Sequence, residues 1–240
     1  MKIAVQLYSV RDHIKKGEDL LNILGKVKEI GFEGVEFAGY FGLSAEILKT
    51  RLDELGLIPV GTHIGLDNYK PKNLAQTIEF GRTIGFKYMG VGGAPHSTEK
   101  QCIRTGEKLG NASKEAAQYG ITMYYHNHSD EFKPLRNGKL PIDIIKSLTK
   151  LQVDTYWSFY AGVDNYKFLT DNKDDIVHIH IKDGINGTPK ALGEGNCDLA
   201  AVLKAAKDIN LEWIVLENDD PSPDGLSDIT RSMKWLQANI

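Results

Sequence analysis

The sequence predicts an α/β protein, a single (β/α)8 barrel over residues 1–240, and three observations carry that prediction. Amphipathic stretches repeatedly end in Gly or Asn and run into an apolar segment; strand-length apolar segments recur about every 30 residues; polar side chains crowd the carboxyl ends of those segments. The joins are Val27-Lys28-Glu29-Ile30-Gly31-Phe32, Leu52-Asp53-Glu54-Leu55-Gly56-Leu57, Gly81-Arg82-Thr83-Ile84-Gly85-Phe86, Ala117-Gln118-Tyr119-Gly120-Ile121 and Lys207-Asp208-Ile209-Asn210-Leu211. Gly or Asn just past a helix supplies the left-handed backbone that ends it, and the next apolar residue opens a strand.

With the joins as punctuation, strands are expected over 3–8, 33–38, 57–63, 87–92, 121–128, 150–156, 176–182 and 213–217. Helical periodicity fills the gaps, as in Leu20-Leu21-Ile23-Leu24-Val27-Ile30 and Leu199-Val202-Leu203-Ala206-Ile209. Eight such units approach the roughly 250 residues of an eightfold barrel. An open doubly wound sheet is the alternative, and the chain lacks the strand-Gly-x-Gly-x-x-Gly-helix element that would support it. No linker, low-complexity run or second domain is expected.

Hydrophobic residues at 41% and charged residues at 25% are the balance of a soluble globular protein and exclude a collagen, a coiled coil or a disordered tail. Lys+Arg at 29 against Asp+Glu at 32 gives a net charge of -3, with no positive excess to attract a phosphate backbone or an anionic membrane. Two cysteines, Cys102 and Cys197, make no disulfide framework, and Lys2-Ile3-Ala4-Val5-Gln6-Leu7-Tyr8 lacks the basic segment, apolar core and cleavage site of a signal peptide, so export is not expected. Apolar runs such as Trp213-Ile214-Val215-Leu216 fall far short of the ~20 residues of a membrane helix. A reduced, cytoplasmic protein with neither nucleic acid nor membrane as partner is the expectation.

In a parallel barrel alternate residues point inward and chemistry collects at the carboxyl ends of the strands. Those ends carry Glu36, His63, Gly92-Gly93, His126 and His128, Asp154, His178, His180 and Lys182, and Glu217. In Ile176-Val177-His178-Ile179-His180-Ile181-Lys182 the isoleucines share one face and the histidines and lysine the other, so the polar face must look into the barrel. Residues 122, 124, 126 and 128 share a side by the same rule, and Glu217 is in phase with Trp213 and Val215. Imidazoles and carboxylates converging in a dry site need positive compensation. His126, Asp154, His180 and Glu217 offer two nitrogens and two carboxylates from four consecutive strands, a set suited to one Mn, Zn, Co or Fe ion rather than Ca or Mg.

Blander readings stand beside these. A lone strand-end histidine such as His63 or His178 is more often a hydrogen-bonded structural residue than a ligand; His13 and His96 fall on expected loops; Glu36 could pair with an inward Lys182. Gly92-Gly93-Ala94-Pro95 and Gly193-Glu194-Gly195 could offer amides to an anion or be ordinary turns. Tyr8, Tyr156, Trp157, Phe159 and Tyr160 could stack on a sugar ring or close the core.

Taken together, Leu7-Tyr8-Ser9-Val10-Arg11-Asp12, Gly34-Val35-Glu36-Phe37-Ala38-Gly39, Thr62-His63-Ile64-Gly65-Leu66-Asp67, Tyr125-His126-Asn127-His128, Asp154-Thr155-Tyr156-Trp157, His180-Ile181-Lys182-Asp183, Gly193-Glu194-Gly195 and Glu217-Asn218-Asp219 resemble the sugar phosphate isomerase/epimerase family with its xylose-isomerase-like barrel. The resemblance runs nearly end to end. It implies metal ligands at a Glu of strand five, an Asp of strand six, a His of strand seven and a Glu of strand eight; Asp154, His180 and Glu217 match, and His126 stands where the family's epimerases use Glu. Those epimerases move the proton with two metal-bound glutamates, of which only Glu217 is present here.

The expected activity is a metal-dependent isomerase or epimerase acting on a ketose, keto-sugar or sugar phosphate through an enediolate. Glu217, Lys182 and His63 are the expected catalytic groups; Glu36, His128, Trp157, Tyr8 and Arg11 the expected sugar contacts. The histidine at 126 raises the alternative of a sugar or cyclitol dehydratase or 3-keto-glycoside lyase. A silent sugar-binding barrel is a further alternative, against which Glu217 and Lys182 argue mildly. An abasic-site endonuclease would need more ligands and a basic groove. Surface aromatics could support a homodimer, with no patch singled out.

Overall fold

The computed structural model describes residues 1–240. In chain order the strands are β1 (Lys2–Gln6), β2 (Gly34–Phe37), β3 (Ile58–Thr62), β4 (Tyr88–Val91), β5 (Thr122–His126), β6 (Lys150–Asp154), β7 (Ile176–Ile181), the short β8 (Asp183–Ile185) and β9 (Thr188–Lys190), and β10 (Trp213–Leu216). Eight of them form one parallel sheet in the order β3-β2-β1-β10-β7-β6-β5-β4. Its two edges meet at a parallel bridge between His63 and Gly90, where the Ile64 amide donates to the Gly90 carbonyl at 3.0 Å, so the barrel is nearly closed. Gly90 is required beside this seam, because a Cβ there would stand 2.4 Å from the Tyr124 ring.

Helices α1 (Gly17–Ile30), α2 (Ala45–Leu55), α3 (Pro71–Ile84), α4 (Glu99–Ala116), α5 (Pro141–Lys146), α6 (Thr155–Tyr160), α7 (Asn165–Asp171), α8 (Leu199–Asp208) and α9 (Gly225–Asn239) surround the sheet. The predicted joins are where the chain turns back into a strand: Gly31, Gly56 and Gly85 cap α1, α2 and α3 with φ of 111°, 61° and 96°, and Asn210 takes φ 57°. All eight predicted barrel strands are present, each somewhat shorter than expected, and three of them end two residues early. β1 stops at Gln6, whose side chain accepts from the Tyr8 amide at 3.1 Å and starts a 3-10 helix over Leu7–His13. β6 stops at Asp154, whose Oδ1 accepts from the amides of Tyr156 and Trp157 and caps α6. β5 stops at His126.

The β8–β9 hairpin was not expected. Its turn is Asn186-Gly187 with φ of 52° and 84°, left-handed at both positions, which suits a two-residue hairpin.

Side-chain parity divides the core in two. Forty-eight buried hydrophobic residues form one cluster that includes Val35, Met123, Tyr125, Ile179, Ile181 and Leu216 and joins the sheet to the helices. A separate cluster of Ala4, Val60, Trp213 and Val215, in the opposite phase, fills the amino end of the barrel interior. The rest of the interior is polar. No helix is long and apolar enough to cross a membrane.

Candidate metal centre and the cavity above it

His178, His180 and Lys182 are fully buried, as the alternation of β7 requires. His126 ends β5, Asp154 ends β6, His180 lies on β7 and Glu217 follows β10, and one ligand atom from each falls within 4.8 Å of all the others. The four are buried. His126 Nε2 lies 3.4 Å from Asp154 Oδ2 and 3.9 Å from Glu217 Oε2, and His180 Nδ1 lies 2.9 Å from Glu217 Oε2. Neither ring nitrogen of His126 has a hydrogen-bond partner, nor has Asp154 Oδ2.

The electrostatics of the cluster ask for a cation. Burial drives the His126 pKa down to about 3, so its ring is neutral and can present a lone pair. Burial pushes Asp154 upward, but Lys182 and His126 more than offset it and hold it at about 2. At His180 burial works against the charged form, and the carboxylates of Glu217 and Glu36 prevail, raising it to about 10. Glu217 is desolvated too, yet His180 and Lys182 keep it well below the usual carboxylate range. Lys182 is desolvated in turn and still lies above its ordinary range, because its ammonium meets Glu217 at 3.1 Å, Asp154 at 3.3 Å and Asp219 in a short contact. A proton between His180 Nδ1 and Glu217 thus stands where two neutral imidazoles and two carboxylates would otherwise take a divalent ion. Orphaned donor atoms and a mixed N/O set both fit that group.

Above the cluster lies a cavity of about 360 Å³, within the size range of small-molecule sites. His63, His126, His128, Glu217 and Asp219 line it, together with Tyr8 and Gly92. The glycine matters, since a Cβ at residue 92 would stand 2.8 Å from His63 Nδ1. His128 is set by Glu131, which accepts from the His128 amide at 3.0 Å and from the Tyr125 hydroxyl at 2.7 Å.

Other expected contacts lie off this surface. Glu36 is fully buried one layer below, among Gln6, Tyr124, Gln152 and His180; His180 is its nearest histidine, with His63 at 3.4 Å and His178 at 3.5 Å, and Lys182 pairs elsewhere. Arg11 is a clamp, donating to the carbonyls of Tyr8 at 2.9 Å and Asp219 at 2.6 Å. Trp157 donates its indole N–H to Asp219 Oδ2 at 3.2 Å and lies 5.4 Å from the Lys182 ammonium. His13 sits between Asp12 and Asp224, and His96 hydrogen-bonds the Ala94 carbonyl.

The Gly193-Glu194-Gly195 amides are not free for an anion. Those of Gly193 and Gly195, with those of Gly184 and Cys197, all donate to the buried Asp183 carboxylate at 2.9 to 3.0 Å, while Asp198 caps α8. The protein's own carboxylates occupy the positions that the glycines suggested for a ligand.

The family model for the xylose isomerase-like TIM barrel matches residues 24–239. The chain belongs to this family. Within it, a sugar phosphate isomerase/epimerase from Parabacteroides distasonis superposes with a TM-score of 0.81 at 21% identity, covering 99% of this chain and 94% of that one. L-ribulose 3-epimerase gives 0.77 at 18%, covering 99% and 94%, and the IolI protein with a bound zinc atom gives 0.76 at 14%, covering 99% and 97%. At these identities the likeness is one of xylose isomerase-like fold. No curated protein matches in sequence. The resemblance drawn from the motifs holds for family and architecture.

Sequence reasoning missed several members of the site. Gln6, Tyr124 and Gln152 are buried around Glu36, and Asp219 completes the Lys182 pairing. Parity had already put Tyr124 on the side of His126, without a role, and Gln152, two residues before Asp154, could have been found the same way. Asp219 lies past the strand, where no periodicity applies.

Proposed function

We propose that the protein is a divalent-metal-dependent sugar isomerase or epimerase that works by enolisation. The observation that carries this reading is the convergence of His126, Asp154, His180 and Glu217, with orphaned donor atoms, under a cavity of about 360 Å³. The kinship with sugar-processing members of the fold agrees with it. A divalent ion held by these four would supply Lewis-acid polarisation of a substrate carbonyl and its neighbouring hydroxyl.

The chain's own residues do the rest. Glu217, ionised and on the cavity wall, takes the proton from the carbon beside the carbonyl and returns it. Return to the other carbon is isomerisation, and return to the other face needs a second group. His63, His128 and Asp219 on the same walls are placed to bind hydroxyls or carry that proton, and Tyr8 offers an aromatic face to the sugar. Lys182 acts through Glu217 and Asp219, pairing with both carboxylates and holding them oriented.

One observation favours a second reading. Glu217 is the one metal-site carboxylate on the cavity wall, and the fifth-strand position is a neutral imidazole. A single base suffices to remove a proton and expel a β-substituent, which is dehydration or lyase chemistry. The test is metal content of the purified protein, then proton exchange from ketoses and 3-keto sugars in deuterated water with Glu217→Gln beside it. Stoichiometric metal with Glu217-dependent exchange is expected, and the product separates isomerase from lyase. No metal after reconstitution, or binding of sugar without exchange, leaves a sugar-binding barrel instead.

A further inference from the structure

The layer beneath the metal site is a hydrogen-bond network whose directions are all forced. Glu36 is buried and offers its two oxygens as acceptors to the four groups that face them. Oε1 accepts from the Tyr124 hydroxyl and from Gln152 Nε2 at 2.8 Å; Oε2 accepts from Gln6 Nε2 at 2.8 Å and from His180 Nε2 at 2.5 Å. The Gln6 amide cannot be turned over, because its Oε1 already accepts the Tyr8 amide. The Gln152 amide is pinned the same way: its NH2 must face Glu36, which leaves its Oε1 facing His63 Nε2 at 2.7 Å. That contact is a hydrogen bond only if His63 carries its proton on Nε2.

We infer that Glu36 is a positioning residue that sets the tautomers of two imidazoles, His180 directly and His63 through Gln152. Both rings carry a proton on Nε2; His63 turns a bare Nδ1 upward, and His180 turns up an Nδ1 whose proton, shared with Glu217, a divalent ion would replace. At His180 that Nδ1 lies 2.9 Å from Glu217 Oε2, in the candidate metal centre; at His63 it faces Gly92 on the cavity wall. One carboxylate therefore prepares a metal ligand and a proton acceptor together, 5.4 Å apart between ring centres. For His180 this rests on the proposed metal-dependent reading; for His63 it rests on the geometry of Gln152, with Glu36 Oε1 itself 3.4 Å from His63 Nε2.

Glu36→Gln is the direct probe, since an amide has one oxygen for four donors and must oppose two of them with N–H. Zinc affinity is read by competition with a chromophoric chelator, and tautomers by side-chain ¹⁵N NMR of the histidines. The wild type is expected to bind one zinc with His180 and His63 both carrying the proton on Nε2. Glu36→Gln is expected to weaken zinc about 10- to 100-fold and to shift the ¹⁵N patterns of both rings. Gln152→Met is expected to shift His63 and its other ring neighbour His178, 3.2 Å from Gln152 Nε2, but not His180, with zinc affinity within about 3-fold of wild type, and Glu36→Asp to restore part of the zinc affinity.

Unchanged affinity and unchanged ring patterns in Glu36→Gln would overturn the inference. So would an Nδ1 proton on His63 in the wild type, or a second zinc taken by Glu36, His63 and His180, whose ligand atoms also lie within 4.8 Å of one another. If the wild type binds no zinc, the proposed function fails by itself, and the His63 tautomer in the metal-free protein still decides the inference. If Glu36→Gln does not fold, the wild-type spectra and Gln152→Met decide it.

Discussion

The two ends of the barrel interior hold residues of the same inward phase and treat them differently. At the amino end Trp213 and Val215 of β10 pack with Ala4 and Val60; two residues further along each strand come Glu217, Gln6 and Thr62, all buried. The lower layer is held by contacts without direction, which tolerate any side chains of suitable shape and volume. The upper layer is held by contacts with direction, where each carboxylate has named donors and the loss of one partner strands a charge. Burial is equal at the two ends, and the cost of an error is not.

Four measurements would break or sharpen that contrast. The largest effect is expected from Glu217→Gln, with substrate proton exchange reduced about 10²- to 10⁴-fold while far-UV circular dichroism is unchanged; a loss below tenfold would remove Glu217 as the base. Lys182→Met takes the one lysine from among Asp154, Glu217 and Asp219. It is expected to destabilise the metal-free protein by about 3–5 kcal/mol. A divalent ion should recover part of this, so the gap in Tm between metal-loaded and chelator-treated protein should widen, and an equal gap in wild type and variant would contradict the electrostatic account.

Trp213→Ala is expected to cost a similar ~3–5 kcal/mol in urea titration, but with exchange per folded molecule unaltered, because a cavity at the lower end disturbs no donor at the upper one. Activity falling in step with stability would erase the distinction. Gly195→Ala probes the rim. Its Cβ would stand 2.1 Å from Asp183 Oδ1 and displace the loop gathered on that carboxylate, for an expected loss of about 1–3 kcal/mol by thermal denaturation.

Much of this was legible before any coordinates. The left-handed caps at Gly31, Gly56, Gly85 and Asn210 were read from local chemistry, and the eight strands followed. Parity assigned His178, His180 and Lys182 to the interior because a strand's side chains alternate whatever lies around it. The strand ends were less legible. Gln6 and Asp154 stop their strands by turning a side-chain oxygen onto following amides, an option that competes with strand pairing and leaves no period. The Asn186-Gly187 hairpin did have a signal, overlooked inside the loop that follows β7.

What the sequence determined by itself was the eightfold architecture and the list of polar groups that had to meet inside it, because caps and alternation are properties of a few neighbouring residues. What only the tertiary structure decided was who partners whom. Glu36 serves His180 rather than Lys182, the glycines of 193 and 195 serve Asp183 rather than a ligand, and Lys182 takes up Asp219. Those pairings join residues from 10 to 144 positions apart, and they are settled by which oxygen and which hydrogen the closed barrel leaves within about 3 Å of each other.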